Sequence, residues 1–213
     1  MELFTSNANS LHAIAHDIVA LLAITNPLGA VPVFLSITAR LSLADRRRAA
    51  VQASLAVWII LTIAAVIGTP ILRAFGISLP AFQAAGGLVI LLMGLEMLRG
   101  LPTKVQHDDE PRELAKDRIM VPLAMPLLAG PGSITTTITL TAGAEGWRGV
   151  VATLIGIGVV DVIVWLTLCS SGWLGERIGP QGQRIFLRFM GLILAAVGAE
   201  MALLGVHTFV PSR

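Results

Sequence analysis

Six stretches of the chain are apolar almost without interruption: residues 11–39, 49–72, 80–100, 119–142, 149–173 and 186–207. Each is long enough to cross a bilayer as a helix, which takes about 20 mostly apolar residues for about 30 Å of hydrocarbon. None alternates in the way that marks a membrane barrel strand of about ten residues. Lipid admits only helices and closed barrels, because every backbone N–H and C=O must be satisfied internally. The pattern predicts an all-α membrane protein with six transmembrane helices.

Composition agrees. Of 213 residues 55% are hydrophobic and 13% charged, with a mean hydropathy of +0.81, whereas an ordinary globular domain is about 25% charged. That excludes a soluble enzyme, a nucleic-acid-binding module and a disordered chain. The start, Met1 to Ser6, has no basic residue, and the first apolar run is too long for a signal-peptide core, so no cleavable leader is expected. Cys169 is the only cysteine and the four histidines have no ligand spacing, so neither a disulfide framework nor a metal cluster is expected.

The basic residues sort by side. Arg40, Arg46, Arg47 and Arg48 follow the first run; Arg99, Lys104, Arg112, Lys116 and Arg118 follow the third; Arg177, Arg184 and Arg188 follow the fifth. Only Arg73, Arg148 and Arg213 fall on the other side, so 12 of the 15 share one face. By the positive-inside rule that face is cytoplasmic and both termini lie outside. This bias, not a nucleic-acid partner, accounts for the net charge of +2. The loop 101–118, with His107, Asp108, Asp109 and Glu110, reads as a cytoplasmic connector; a docking role is the alternative.

The chain repeats itself. Pro27 and Pro32 map onto Pro126 and Pro131 at an offset of 99. Gly87, Gly94 and Glu96 map onto Gly191, Gly198 and Glu200 at 104, and Arg48 maps onto Arg148 at 100. Each half, residues 1–100 and 119–213, then holds three helices. An odd number makes the second half enter from the opposite side, so the halves form an inverted repeat of the kind that underlies alternating access. The paired glycines, seven apart on one helix face, read as close-packing positions.

Two of the six helices should be broken. Proline lacks an N–H and clashes with the preceding turn, and Asn26 to Pro32 and Pro126 to Gly132 lie near the middles of the first and fourth runs. Irregular backbone survives in a membrane only where it lines a cavity or is buried in protein. Half-helix N-termini there offer N–H groups to a carboxylate, and freed carbonyls accept from an ammonium. A zwitterion fits, and a small amino acid is the simplest. The candidate substrate residues are Thr25, Asn26, Pro27 and Gly29, with Gly130, Pro131, Gly132, Ser133 and Thr136. Ser36, Thr135 and Thr137 crowd the same places. The competing reading is that these are kinks and packing surfaces.

Asp161 lies 14 residues from Trp147 and 12 from Trp173, near the bilayer midplane. A carboxylate there costs roughly 2.5–3.5 kcal/mol on insertion scales. Its repeat partner is Leu61, so the acid belongs to one half alone and is a candidate for coupling H+ or Na+ to transport. The alternative is a local cap on a freed N–H. Glu96 and Glu200 suit a gate or hinge between halves, or simple solvation at a helix end; Asp17 and His16 suit an entrance or simple wetting. Trp58 and Trp165 read as core or lipid-facing.

The segments Asn26-Pro27-Leu28-Gly29 with Pro32-Val33-Phe34, and Pro126-Leu127-Leu128-Ala129-Gly130-Pro131-Gly132-Ser133-Ile134, resemble the MarC family of bacterial inner-membrane proteins. That family includes SnatA-type small neutral amino-acid transporters. The resemblance spans essentially the whole chain. It implies an inner-membrane transporter of glycine, alanine or similar amino acids, and it does not imply a role in antibiotic resistance. A drug or metabolite efflux pump is the rival, but an aromatic-rich cavity would be expected there, and the chain has no Tyr and only 5% aromatics. A passive channel is a second rival. No Ser-His-Asp or metal arrangement favours an enzyme, and the pattern leaves a homo-oligomer open.

Overall fold

The computed structural model describes residues 14–15, 17–99, 128–143 and 146–209, and every regular element among them is α-helical. These are α1 (17–25), α2 (Pro27–Ile37), α3 (Leu43–Ala74), α4 (Leu79–Arg99), α5 (Pro131–Gly143), α6 (Gly146–Cys169) and α7 (Ser171–Phe209). Among the described residues five spans are long and apolar enough to cross a membrane: Asp17–Ile37, Leu43–Ala74, Leu79–Arg99, Gly149–Cys169 and Gln181–Phe209. The expected fourth span, 119–142, is described from Leu128 onward, and the connector 101–118 lies outside the described residues.

Local chemistry sets the ends of α3. Ser42 accepts from the N–H of Asp45 at 3.1 Å and caps the helix, whose first residue, Leu43, lies six residues before the expected start at 49. Asp45 in the first turn also complements the helix dipole. At the far end Gly76 takes φ 68, a left-handed conformation that glycine adopts without steric cost. The N–H of Ile77 then reaches Leu72 C=O at 2.9 Å and that of Gly76 reaches Arg73 C=O at 3.1 Å, satisfying the terminal carbonyls.

The segment after the fifth run differs from expectation. The helix predicted over 149–173 ends at Cys169, and the stretch expected to be a charged loop is itself helical, forming the first part of α7. Arg177, Arg184 and Arg188 therefore lie on a helix. The helix breaks at Gly179 (φ 66, ψ 169), and Gln183 Nε2 bridges back across the break to Gly175 C=O at 3.3 Å. The arm lies close against α2: a Cβ on Gly175 would collide with Leu35.

Two interfaces hold the helices together. The α3–α6 core gathers Val57 and Leu61 with Ile157, Val160, Val164 and Leu168, joined by Leu21, Ala30, Phe34 and Leu128. The α4–α7 interface is built on glycine. A Cβ on Gly87 would sit 2.7 Å from Gly198 C=O, and one on Gly198 would sit 2.7 Å from Gly87 C=O. Gly94 and Gly191 make the same reciprocal approach. Small residues at these positions let the backbones touch, as close packing in membranes requires. Helix α5 lies against both α3 and α4, with Ile138 on Gly68 and Thr135 on Gly86. Outward faces carry Leu55, Trp58, Ile63, Ile155, Val162, Trp165, Leu192 and Leu203, all exposed. An apolar surface that continuous belongs in lipid.

Candidate functional site

The first break is made by Asn26. It holds φ 41, ψ 62, among the described residues the one non-glycine with positive φ, and asparagine tolerates that conformation better than most side chains. Its Oδ1 accepts from the N–H of Gly29 at 3.2 Å, capping α2. A Cβ on Gly29 would fall 2.8 Å from Asn26 Cγ, so the cap depends on glycine there. Pro27 opens α2 and has no N–H, which deprives Ala23 C=O of its helical donor. Thr25 Oγ1 donates to Leu21 C=O at 2.8 Å, and both Thr25 and Asn26 are buried.

The second break uses a hydroxyl. Ser133 Oγ, buried, donates to Leu128 C=O at 2.9 Å across the turn that contains Gly130 and Pro131. The N–H of Ile134 reaches Gly130 C=O at 3.1 Å, closing the first turn of α5. Thr137 Oγ1 donates to Ser133 C=O at 2.8 Å, and Thr141 Oγ1 donates to Thr137 C=O. Thr136 is buried too, and its Oγ1 has no hydrogen-bond partner.

The two breaks touch. A Cβ on Gly132 would lie 3.2 Å from Ile24 Cγ2 and 2.9 Å from Ile90 Cγ1. The second break thus packs two residues from Asn26, with α4 beneath both. Thr25 and Asn26 at the first break, and Ser133, Thr136 and Thr137 at the second, are all buried.

Asp161 is half-buried on α6, beside the core residue Val160, and two residues from the middle of the span Gly149–Cys169, about 3 Å along the axis. Its Oδ1 is enclosed without a hydrogen-bond partner. An enclosed acceptor of this kind is costly unless a proton or cation satisfies it. Leu61, its counterpart in the repeat, is ordinary core.

Other expected residues lie elsewhere. Glu96 and Glu200 are exposed. Each follows a packing glycine, Gly94 or Gly198, by two residues, about 200° around a helix, so both point away from the α4–α7 contact. Ser36 is exposed and bonds Val33 C=O within its own turn at 2.7 Å. Pro126 and His16 lie outside the described residues. A cavity of ≈ 90 Å³ adjoins the first break, between Leu28, Val31 and Pro32 of α2 and Leu174, Ile178 and Phe186 of α7, but its lining is almost wholly apolar. It does not fit a zwitterion. Asp17 is not wetted at the end of its helix, as one reading of the sequence allowed. It is 9% exposed and accepts from Thr153 Oγ1 at 2.8 Å. An aspartate within an apolar run was the signal for it.

Comparison with known proteins agrees with a membrane-embedded chain. A family model described as MarC family integral membrane protein matches residues 11–210. The chain belongs to the MarC family. It is similar to the UPF0056 membrane protein YvbG of Bacillus subtilis, 34% identical over 202 residues that cover 93% of this chain and 96% of that one. It is also similar to YhcE of Escherichia coli, 34% identical over 196 residues and 91% of each chain. A UPF0056 membrane protein of Pyrococcus abyssi is 38% identical over 188 residues, covering 88% of this chain and 91% of its own. No solved structure matches.

Proposed function

We propose that this MarC family member is a secondary transporter that moves small neutral amino acids of the glycine and alanine type by alternating access, with the two helix breaks as the substrate site. The observation that carries this reading is the contact of Gly132 with Ile24, which sets the second break beside Asn26. The start of α5 offers helix N-terminal N–H groups to a carboxylate, and Ala23 C=O, freed by Pro27, can accept from an ammonium. Ile24 and Ile90 line the approach to Gly132 with apolar surface, which suits a substrate without a charged side chain.

The inverted arrangement of two three-helix halves belongs to the same reading. It is supported by the reciprocal approach of Gly87 to Gly198 and Gly94 to Gly191, because the repeat relates these four residues in pairs. Asp161 is the coupling residue, accepting H+ or Na+. In the proposed orientation the basic face is cytoplasmic, and both termini lie outside the inner membrane. The chain performs no covalent chemistry.

Uptake of labelled glycine and alanine into proteoliposomes, with and without pH and sodium gradients, tests the proposal. Saturable uptake that one gradient drives uphill is expected. The absence of saturable flux for every small neutral amino acid would sink it.

A further inference from the structure

The bond between Asp17 and Thr153 joins helices 136 residues apart in the chain, α1 of the first half and α6 of the second. It is wholly interior: Asp17 is buried and Thr153 is completely so. Beside it Gly156 lies flat against α1, since a Cβ there would rest 3.5 Å from Asp17 Cβ and 3.7 Å from Ile18 Cγ1. A carboxylate held this way in an apolar bundle is expensive to desolvate and is kept only where it serves a purpose.

Its place along the helices suggests the purpose. Asp17, Leu21 and Thr25 fall at i, i+4 and i+8 on the buried face of α1, and Thr153, Ile157 and Asp161 fall at the same spacing on α6. Leu21 and Ile157 are fully buried in one core cluster. With the two helices parallel, as the inverted layout requires, three layers follow. A polar pair is outermost, an apolar pair comes next, and Thr25 and Asp161 lie about 12 Å below the first layer.

We propose that the Asp17–Thr153 hydrogen bond is the latch of a gate, with Leu21 and Ile157 as its plug, that closes the site toward the Asp17 end. This rests on the transport reading and adds to it the elements that separate. Opening moves α1 away from α6, hydrates the Asp17 carboxylate and unseats the plug. Asp17 and Thr153 are positioning residues: they govern access to the site without forming it.

The test places a single cysteine at Leu21 in a Cys169→Ser background. Labelling by a membrane-impermeant thiol reagent is then timed from each side of sealed vesicles. Ile157→Cys serves as the reporter from the facing helix if Leu21→Cys does not fold. Thr153→Val should speed labelling from the Asp17 side about tenfold, the shift expected when one hydrogen bond to a charged group is lost. Thr153→Ser should restore the slow rate. An unchanged rate in Thr153→Val, or equal acceleration from both sides, overturns the latch. Glycine counterflow in the same vesicles is scored separately: its absence in the unsubstituted chain refutes the transport reading while the labelling asymmetry still decides the latch.

Discussion

At the first break a side chain accepts from the backbone, and at the second a side chain donates to it. Asn26 Oδ1 accepts from the N–H of Gly29, and Ser133 Oγ donates to Leu128 C=O. The first break therefore keeps one carbonyl, that of Ala23, for a donor, because Pro27 supplies no N–H to it. The second quiets a carbonyl and leaves the start of α5 to offer N–H groups. The two turns are chemically opposite, and the proposed zwitterionic substrate has one cationic and one anionic end to match. The Ala-Gly-Pro-Gly-Ser sequence and the Asn-Pro-Leu-Gly sequence thus differ in which backbone group the side chain satisfies.

The most damaging way to break the contrast is Gly29→Ala. Its Cβ would invade the Asn26 amide, so the cap is lost and the turn overpacked, at a combined cost of about 2–4 kcal/mol. A lowered thermal midpoint in detergent and loss of most glycine counterflow are expected. Next is Asp161→Asn, which should leave counterflow in place and abolish gradient-driven accumulation. Retained uphill accumulation would remove Asp161 from the coupling role. Ser133→Ala leaves the buried Leu128 carbonyl without its donor, a cost of about 1–3 kcal/mol, and should raise the KM for glycine more than it lowers the midpoint. The smallest effect on folding belongs to Thr136→Val. Since Thr136 Oγ1 has no partner, removing it is neutral or slightly stabilising, while a role in substrate contact predicts a higher KM. A variant with both values unchanged would assign Thr136 to packing alone.

Much of this was legible in one dimension. The apolar runs foretold the helices, and Pro27 with Gly29 foretold a break whose left-handed residue is Asn26. The paired glycines foretold the α4–α7 contact, because side-chain size at a helix crossing is a local property. The same periodicity would have turned Glu96 and Glu200 outward, had it been carried two residues further. The arm of α7 was not legible: its charges read as a loop, while the packing of Gly175 on Leu35 depends on a helix about 140 residues earlier in the chain. The partner of Asp17 was hidden for the same reason. A buried threonine hydroxyl carries no mark in sequence that says which distant carboxylate it serves.

The central claim, that the joined breaks bind the transported amino acid, is tested most directly by counterflow of labelled glycine in proteoliposomes carrying the unsubstituted chain, Asn26→Ala or Ser133→Ala. Saturable counterflow is predicted for the unsubstituted chain, with KM raised about tenfold or more in each folded variant, as expected when one charge-assisted hydrogen-bonding site is disturbed. Folded variants whose KM matches that of the unsubstituted chain would contradict it.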